Sequence, residues 1–268
     1  MTAQPIRLSR AFIYPIKSLR GVPAESLTIR NGRVVGDRLW ILVDAAGRFM
    51  HQRDFPQMAA IDVRVISDGV EVQKAGLRPL RVHTTPPTGR IVEHVRLWRR
   101  AAPVLSVGVE ADDWFTSALG LSCRLFQFAD AAVGIDVPDT ERDASLQDAT
   151  PFHLTSESSL DDLSRRVGYA VPMIRFRPNI TIAGALPYAE DEWKSIRVGT
   201  HTFHWVRACT RCLMTTTDHM TGVRPDREPL RTLATYRRHG SHVVFGHYLT
   251  CESRSGSLNA GDEVHPVA

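Results

Sequence analysis

The chain has 268 residues, of which 43% are hydrophobic, enough for one large domain or for two modest ones that each bury a core. Its four cysteines are too few for a disulfide-framed secreted scaffold, and no segment approaches the roughly 20 apolar residues that cross a bilayer. The net charge of +4 is spread along the chain, so neither nucleic-acid binding nor a membrane anchor is expected, and a cytoplasmic location is predicted.

Short strands dominate the first half of the sequence. Two dipeptides, Asn31-Gly32 and Asp68-Gly69, are hairpin signals, because tight hairpin turns favour residues that tolerate positive φ. The segment 110–119 predicts a helix that is acidic at its start and is closed by Gly120. The segments predicted as strands, from alternation or from a buried apolar run, are 27–29, 34–35, 39–43, 61–65, 70–72, 92–97 and 123–128.

The second half adds two helices to a similar run of strands. One apolar face predicts a helix that begins near Ser156 and ends at Gly168, and a second helix is predicted at 228–237. Strands are expected at 180–182, 203–206 and 243–250, with a last one near 264. The polar segment 130–147 predicts a mobile connection near a domain boundary. This pattern favours a mainly β, mostly antiparallel fold with a few short helices.

The segment from Cys209 to Cys212 is where sulfur, a guanidinium and hydroxyls come together. A thiolate beside a cation forms more readily than an isolated thiol, and sulfur ligands favour soft or thiophilic metals. The residues alone leave three interpretations: half of a zinc site, a dithiol redox pair, or one metal-ligating thiolate with a structural neighbour. A redox pair is expected to open a helix, whereas a threonine-rich segment follows here. A zinc site needs two further ligands, for which the irregularly spaced candidates are His201, His204 and His219.

Six short motifs occur in order along nearly the whole chain. They are Tyr14-Pro15-Ile16-Lys17-Ser18 with Gly21-Val22-Pro23, Gly36-Asp37-Arg38-Leu39-Trp40, Thr150-Pro151-Phe152-His153-Leu154, Phe176-Arg177-Pro178-Asn179-Ile180, Cys209-Thr210-Arg211-Cys212 and Phe245-Gly246-His247-Tyr248. Together they resemble the MOSC-domain family, named for the carboxy-terminal domain of molybdenum cofactor sulfurase. Within it, the sequence is similar to the branch of the mitochondrial amidoxime-reducing component and its bacterial relatives.

The resemblance implies an architecture of two parts. A smaller amino-terminal β-rich domain of the MOSC N-terminal β-barrel type is expected at 1–128, and a MOSC β-barrel is expected at 129–268. The cofactor would lie between them, so residues from both parts would reach it.

The same resemblance implies a molybdenum cofactor, Mo-molybdopterin, with Cys212 as the metal ligand and catalytic residue. Guanidiniums, an ammonium and hydroxyls suit the phosphate and the polar pterin of such a cofactor. Cys209 is then a packed neighbour, and Asn179 and Asp218 would orient the contacting residues. His51 and Arg53 are candidates for a substrate channel or for a loop. The implied cofactor contacts are Lys17, Ser18, Arg38, Thr150, Arg177, Thr210, Arg211, Cys212 and Tyr248.

The implied activity is a molybdenum-dependent reduction of N-hydroxylated substrates, namely amidoximes, hydroxylamines and N-hydroxylated bases. Four cysteines lack the spacing of an iron–sulfur centre, so no intrinsic cluster is expected. Electrons would therefore come from a separate ferredoxin-like protein or reductase. The alternative function is a carrier that transfers the cofactor, or sulfur held on Cys212, without reductase turnover. A zinc-stabilised binding module is a third possibility.

Overall fold

A computed structural model of the protein describes residues 5–85, 89–98, 100–129 and 146–267. Within them the chain forms three short α-helices, which are α1 (Val109–Leu119), α2 (Glu157–Val167) and α3 (Leu230–Tyr236). The strands, in chain order, are β1 (Arg7–Ile13), β2 (Val22–Ala24), β3 (Ser26–Arg30), β4 (Arg33–Val34), β5 (Trp40–Asp44), β6 (Asp62–Ile66), β7 (Gly69–Gln73), β8 (Leu80–His83), β9 (Val92–Leu97), β10 (Arg100–Ser106), β11 (Cys123–Phe128), β12 (Phe152–Ser156), β13 (Ile180–Ala183), β14 (Ser195–Val198), β15 (His201–Thr210), β16 (Arg238–His239), β17 (His242–Cys251), β18 (Ser255–Asn259) and β19 (Val264–Val267). The predicted mainly β fold with a few short helices is confirmed.

The described strands form four sheets. The largest has nine strands in the order β19-β14-β15-β17-β12-β13-β1-β2, with β16 paired to β17. The smaller sheets have the orders β5-β11-β10-β9, β18-β3-β4 and β6-β7-β8. Strands β1 to β4 therefore share sheets with strands from the carboxy-terminal half. The domain boundary between residues 128 and 129 stays a prediction, and residues 130–145 of the predicted connection lie outside the described residues.

One strand pair is parallel in this otherwise antiparallel set. β12 and β13 run side by side, with Leu154 opposite Ile180, and α2 makes the crossover that a parallel pair needs. Leu160 and Leu163 form the buried face of α2, and Gly168 ends the helix at a φ of +90°, as the sequence predicted. This crossover places His153 on β12 and Arg177 just before β13, at one end of the large sheet.

The two predicted hairpins differ in how glycine is used. Asn31 and Gly32 form the two-residue turn between β3 and β4, both at positive φ, as predicted. The second turn is one residue earlier than predicted, because Ile66 pairs with Gly69 and Gly69 belongs to strand β7. A Cβ on Gly69 would lie 2.0 Å from the carbonyl oxygen of Val82, so this glycine permits the close approach of β8.

Two large cores support the sheets. One surrounds Trp40 and Phe115, between α1 and the sheets of the amino-terminal half. The other surrounds Phe152 and Phe203, whose rings meet edge to face at a centroid distance of 5.0 Å, beneath the large sheet. No helix in the part of the chain that the structure describes is long and apolar enough to cross a membrane.

Candidate functional site

A pocket of about 390 Å³ lies where distant segments of the chain meet. Asp218 does not line it; this carboxylate instead accepts hydrogen bonds from the N–H groups of Met220 and Thr221 and lies 3.5 Å from Arg175. All the other predicted site residues line the pocket, namely Lys17, Ser18, Arg38, Thr150, Arg177, Asn179, Cys209, Thr210, Arg211, Cys212 and Tyr248. The lining residues that sequence reasoning did not select include Trp98, Asp148, His153, Arg207 and His242.

Backbone geometry concentrates positive φ angles at this pocket. Six non-glycine residues have positive φ in the described part of the chain, and four of them line the pocket. Such conformations cost on the order of 1–3 kcal/mol each and persist only where the surroundings fix them. The Arg38 N–H donates to the Tyr14 carbonyl at 2.8 Å, which holds one of these turns. The four residues are Ser18 (φ 67°), Arg38 (φ 50°), Trp98 (φ 55°) and Arg177 (φ 57°).

Two arginines stack on the buried ring of Tyr14. Their guanidinium carbons lie 4.4 Å (Arg38) and 4.3 Å (Arg177) from the ring centroid. Burial alone would lower the pKa of Arg38, but the Asp37 carboxylate at 2.5 Å outweighs it and raises the pKa. Burial and the nearby Arg38 lower the pKa of Arg177 to about 10, which still leaves it protonated at neutral pH. Only one of the two buried charges is paired with a carboxylate, so the pocket favours an anionic ligand.

Lys17 is engaged with protein partners in this structure. Its ammonium lies 2.6 Å from Asp148 and donates to the Leu146 carbonyl at 2.7 Å. Burial lowers the pKa of Lys17, whereas at Asp148 the ammonium outweighs burial and holds the pKa well below its usual range. Asp148 also accepts a hydrogen bond from the Trp98 indole at 3.0 Å. The sequence carried no distinguishing signal for this carboxylate, which lies at the end of a polar segment.

The cysteine segment begins at the end of β15. Two irregularities in its pairing with β17, between Trp205 and Arg207 and between Ala208 and Thr210, interrupt strict alternation. The N–H of Arg211 then donates to the Val243 carbonyl at 2.7 Å, so this residue is still tied to β17. A 3₁₀ turn at Leu213–Thr216 ends the segment. These irregularities allow both cysteines to line the same pocket.

The two cysteines have different environments. The Cys209 sulfur is buried and accepts a hydrogen bond from the Arg211 guanidinium at 2.7 Å, while the same guanidinium donates to the Phe176 carbonyl at 2.8 Å. Cys212 is half-buried, and none of the described residues forms a hydrogen bond or ion pair with its sulfur. Cys212 therefore has the accessible sulfur, whereas Cys209 is held inside the wall.

Tyr248 and His153 face each other on β17 and β12, with ring centroids 5.5 Å apart. Burial and the adjacent Cys209 raise the pKa of Tyr248, so its hydroxyl stays protonated and can donate a hydrogen bond. Burial and Arg211 hold the pKa of His153 well below its usual range, so its imidazole is neutral. Its Nδ1 lies 3.3 Å from the Arg177 carbonyl and therefore carries the proton, while the buried Nε2 has no partner among the described residues.

These residues fit an anionic, sulfur-rich cofactor better than an all-protein metal site. No group of three or more His, Cys, Asp or Glu within the described ranges is placed to hold a metal ion. The histidines considered for zinc do not line the pocket, and His204 instead contacts Glu252 at 2.6 Å. One accessible thiol, several hydroxyls and a buried Arg211 Nε without a partner are suited to a metal that brings its own further ligands and a phosphate.

Comparisons with known proteins identify the family. Residues 6–122 match the MOSC N-terminal beta barrel domain, and residues 141–265 match the MOSC domain. Mitochondrial amidoxime-reducing component 1 of Mus musculus is 32% identical, with 96% of this chain and 81% of the relative aligned; the Homo sapiens protein is 30% identical over 96% and 82%. Molybdenum cofactor sulfurase of Oryza sativa is 30% identical over 92% of this chain and 33% of its own length. The chain is thus a molybdenum-cofactor-related protein that belongs to the MOSC-domain family.

Proposed function

We propose that this protein is a molybdenum-cofactor enzyme that reduces N-hydroxylated substrates, namely amidoximes, hydroxylamines and N-hydroxylated bases. The observation that carries the proposal is one pocket that combines the accessible sulfur of Cys212 with more cations than carboxylates among its described lining residues. Relatives that are named amidoxime-reducing components, and that align with 96% of the chain, support the choice of reaction.

The residues of the pocket divide into two roles toward the cofactor. Cys212 would ligate the metal, because it is the pocket thiol that no described residue engages. Arg38, Arg177 and Arg211, with the hydroxyls of Ser18, Thr150, Thr210 and Tyr248, would hold the phosphate and the pterin. When bound, the cofactor supplies a metal centre that changes its oxidation state by two electrons.

The protein groups contribute binding and orientation. Arg177 forms no ion pair with a carboxylate of the described residues, so its charge is available to attract a phosphate. The Tyr248 hydroxyl stays protonated and therefore acts as a hydrogen-bond donor at neutral pH. Asn179 accepts a hydrogen bond from Arg38 at 3.3 Å and donates to the Phe12 carbonyl at 3.2 Å, which supports the proposal that it orients that arginine.

The sequence predicts that Lys17 contacts the cofactor, but its ammonium is already used in part by protein partners. Its ammonium is the partner of Asp148, so a phosphate contact would require Lys17 to share its donors between the two anions. An ammonium has three donors, of which two are used by Asp148 and the Leu146 carbonyl. We therefore propose that Lys17 fixes this wall and offers one further hydrogen bond to the cofactor.

Electrons would come from a separate donor protein. The four cysteines lie at three places in the fold, Cys123 on β11, Cys251 on β17 and the pair at the pocket. A plant-type iron–sulfur centre needs four cysteines around one cluster, which this arrangement does not provide. Turnover with a pyridine nucleotide alone would contradict a separate donor. A cytoplasmic location remains a prediction from the sequence.

The test is an activity assay on protein produced in a cofactor-competent host, after its molybdenum and pterin content has been measured. With an artificial electron donor, we expect stoichiometric reduction of benzamidoxime to benzamidine and of 6-hydroxylaminopurine to adenine. Cofactor-loaded protein that reduces neither compound would refute the reductase. Release of cofactor or sulfur to an apo-acceptor, without turnover, would instead support the carrier function.

A further inference from the structure

One half-buried cation of the pocket is not used by the contacts that hold the others. Lys17 and Arg38 pair with carboxylates, and Arg177 and Arg211 donate to backbone carbonyls. Arg53 donates to no acceptor among the described residues, and its buried Nε has no partner. The terminal N–H groups of Arg53 also donate to no described residue and are not among the buried atoms, so they are donors that a ligand can satisfy.

Arg53 lies on an aromatic platform at the pocket wall. Its guanidinium carbon is 4.4 Å from the centroid of the Trp98 ring system. Stacking of this kind holds the plane of the guanidinium while its N–H groups, which lie in that plane, remain free. The platform is itself fixed, because the Trp98 indole donates to Asp148 at 3.0 Å and Phe49 meets Trp98 edge to face at a centroid distance of 4.9 Å.

The backbone of Arg53 is tied to the loop that follows Cys212. Arg224 donates to the carbonyl oxygens of Gln52 and Arg53, the latter at 3.0 Å, and to the Thr217 hydroxyl at 3.1 Å. Trp98 has a φ of 55°, and this backbone conformation is uncommon for a residue with a bulky side chain and clusters at functional sites. Its side chain remains 43% exposed. Arg53 is thus held beside the segment that follows Cys212, whose accessible sulfur lines the same pocket.

We propose that Arg53, stacked on Trp98, recognises an anionic group of the substrate. This inference rests on the proposed reductase function and specifies its substrate class: N-hydroxylated compounds that also carry a carboxylate or a phosphate. A guanidinium with free in-plane donors binds such groups with two parallel hydrogen bonds. Among the described residues that line the pocket, six are cations, namely Lys17, Arg38, Arg53, Arg177, Arg207 and Arg211, and one is a carboxylate, Asp148. Arg207 also stacks on an aromatic ring, at 5.0 Å from that of Tyr248, but it is exposed to solvent.

The first experiment measures selectivity with the cofactor-loaded enzyme and an artificial donor. We expect kcat/KM for 4-carboxybenzamidoxime to exceed that for benzamidoxime by roughly 10-fold, the scale of one charge-assisted hydrogen bond. Arg53→Gln should reduce this ratio to about 1, and Arg53→Lys, which keeps the charge but not the fork, should leave a ratio of about 3. Arg64→Gln removes an exposed charge on β6, outside the pocket, and should keep the wild-type ratio.

A second substrate pair distinguishes a phosphate preference from a carboxylate preference. The kcat/KM values for 6-hydroxylaminopurine riboside and for its 5′-monophosphate are compared in the same way.

The second experiment measures binding without turnover. Titration calorimetry of wild-type and Arg53→Gln protein with 4-carboxybenzamidine and benzamidine should show the same loss of preference for the anionic compound. If the wild type shows no preference, or if Arg53→Gln weakens both ligands equally, Arg53 is only a packing partner of Trp98 and the inference is overturned. If binding shows an Arg53-dependent preference but the enzyme shows no turnover, the anion subsite is supported and the reductase function is rejected. If the enzyme turns over and Arg53→Gln leaves the ratio of kcat/KM values unchanged, the reductase function is supported and the subsite is rejected.

Discussion

The two sides of the pocket are held in place by different means. On the side of Tyr14, two stacked guanidiniums are fixed by left-handed backbone turns. On the cysteine side, strand irregularities and one arginine distinguish a buried sulfur from an accessible one. The first side therefore provides charge in a rigid position, whereas the second provides a single free ligand. In the proposed site, cofactor affinity and metal ligation would therefore depend on separate segments of the chain, and substitutions can test them separately.

The largest effect is expected at Cys212. Cys212→Ser should lower reductase activity by more than the roughly 100-fold that is typical for loss of a supporting residue around a metal, because it removes the metal's only protein ligand in the proposed site. Bound molybdenum should fall in parallel, as measured by elemental analysis of the purified protein. Cys209→Ser keeps an acceptor for the Arg211 guanidinium and should lower activity by about 10-fold or less. Equal losses in the two variants would contradict the different roles of the cysteines.

On the side of Tyr14, substitution of Arg38 should affect mainly the stability of the protein, whereas substitution of Arg177 should affect mainly cofactor binding. Arg38→Gln leaves the Asp37 carboxylate, whose side chain is fully buried, without its ion pair, and should destabilise the protein by roughly 3 kcal/mol. Arg177 has no carboxylate partner among the residues that the structure describes, so Arg177→Gln should change stability by less than about 1 kcal/mol while it reduces pterin retention. Urea unfolding of the apo-proteins and pterin content of the loaded proteins measure the two effects. A destabilisation of similar size in both variants would refute the distinction.

A third prediction concerns a buried carboxyl group outside the pocket. Burial raises the pKa of Glu190 to about 7, although Ser159 donates a hydrogen bond to it at 2.7 Å. A raised folded-state pKa means that the stability contribution is fully present below the unfolded-state pKa, near 4.3, and is lost as the pH rises to about 7. The contribution of Glu190 to the free energy of unfolding should therefore fall across this window by up to roughly 3 kcal/mol.

Glu190→Gln should abolish this loss, because the neutral amide has the shape of the protonated acid. Urea unfolding at several pH values between 4 and 8 is the measurement. Glu192→Gln, at an exposed position in the same turn, serves as the control and should keep the wild-type pH dependence. If Glu190→Gln also keeps it, Glu190 is ionised in the folded protein throughout this range.

The smallest effect is expected from relief of backbone strain at the pocket. Ser18→Gly should raise stability by roughly 0.5 kcal/mol, because glycine adopts a φ of 67° without a steric penalty but loses more entropy on folding. Ser117→Gly, at an exposed position within helix α1, should lower stability by a similar amount. Thermal unfolding of both variants gives the comparison, and destabilisation by Ser18→Gly would show that the Ser18 side chain stabilises the turn.

Local patterns predicted much of the fold. The turn at Asn31-Gly32 and the helix ends at Gly120 and Gly168 were correct, because each depends on a residue that tolerates positive φ at that position. The hairpin at Asp68-Gly69 was misplaced by one residue, since Gly69 is required by the contact with Val82 on another strand. A contact with a distant strand leaves no signal in the dipeptide itself.

For the candidate site, motif order predicted which residues would come together, and eleven of the twelve residues selected lie at one pocket. The exception is Asp218, whose carboxylate is used to close its own turn. Asp148 was missed because a single carboxylate in a polar segment has no distinguishing pattern until Lys17 is placed beside it.

The sequence by itself determined the residue types of the site, the turns and the short strands, because these depend on local chemistry and on recognisable motifs. Only the tertiary structure decided which of these groups are already engaged. It pairs Lys17 with Asp148 and gives the Cys209 sulfur a hydrogen bond from Arg211. Among the described residues it leaves the Cys212 sulfur without a hydrogen-bond partner and the Arg53 guanidinium, which stacks on Trp98, without an acceptor. Availability for a ligand depends on partners that are distant in the chain, and only folding brings those partners together.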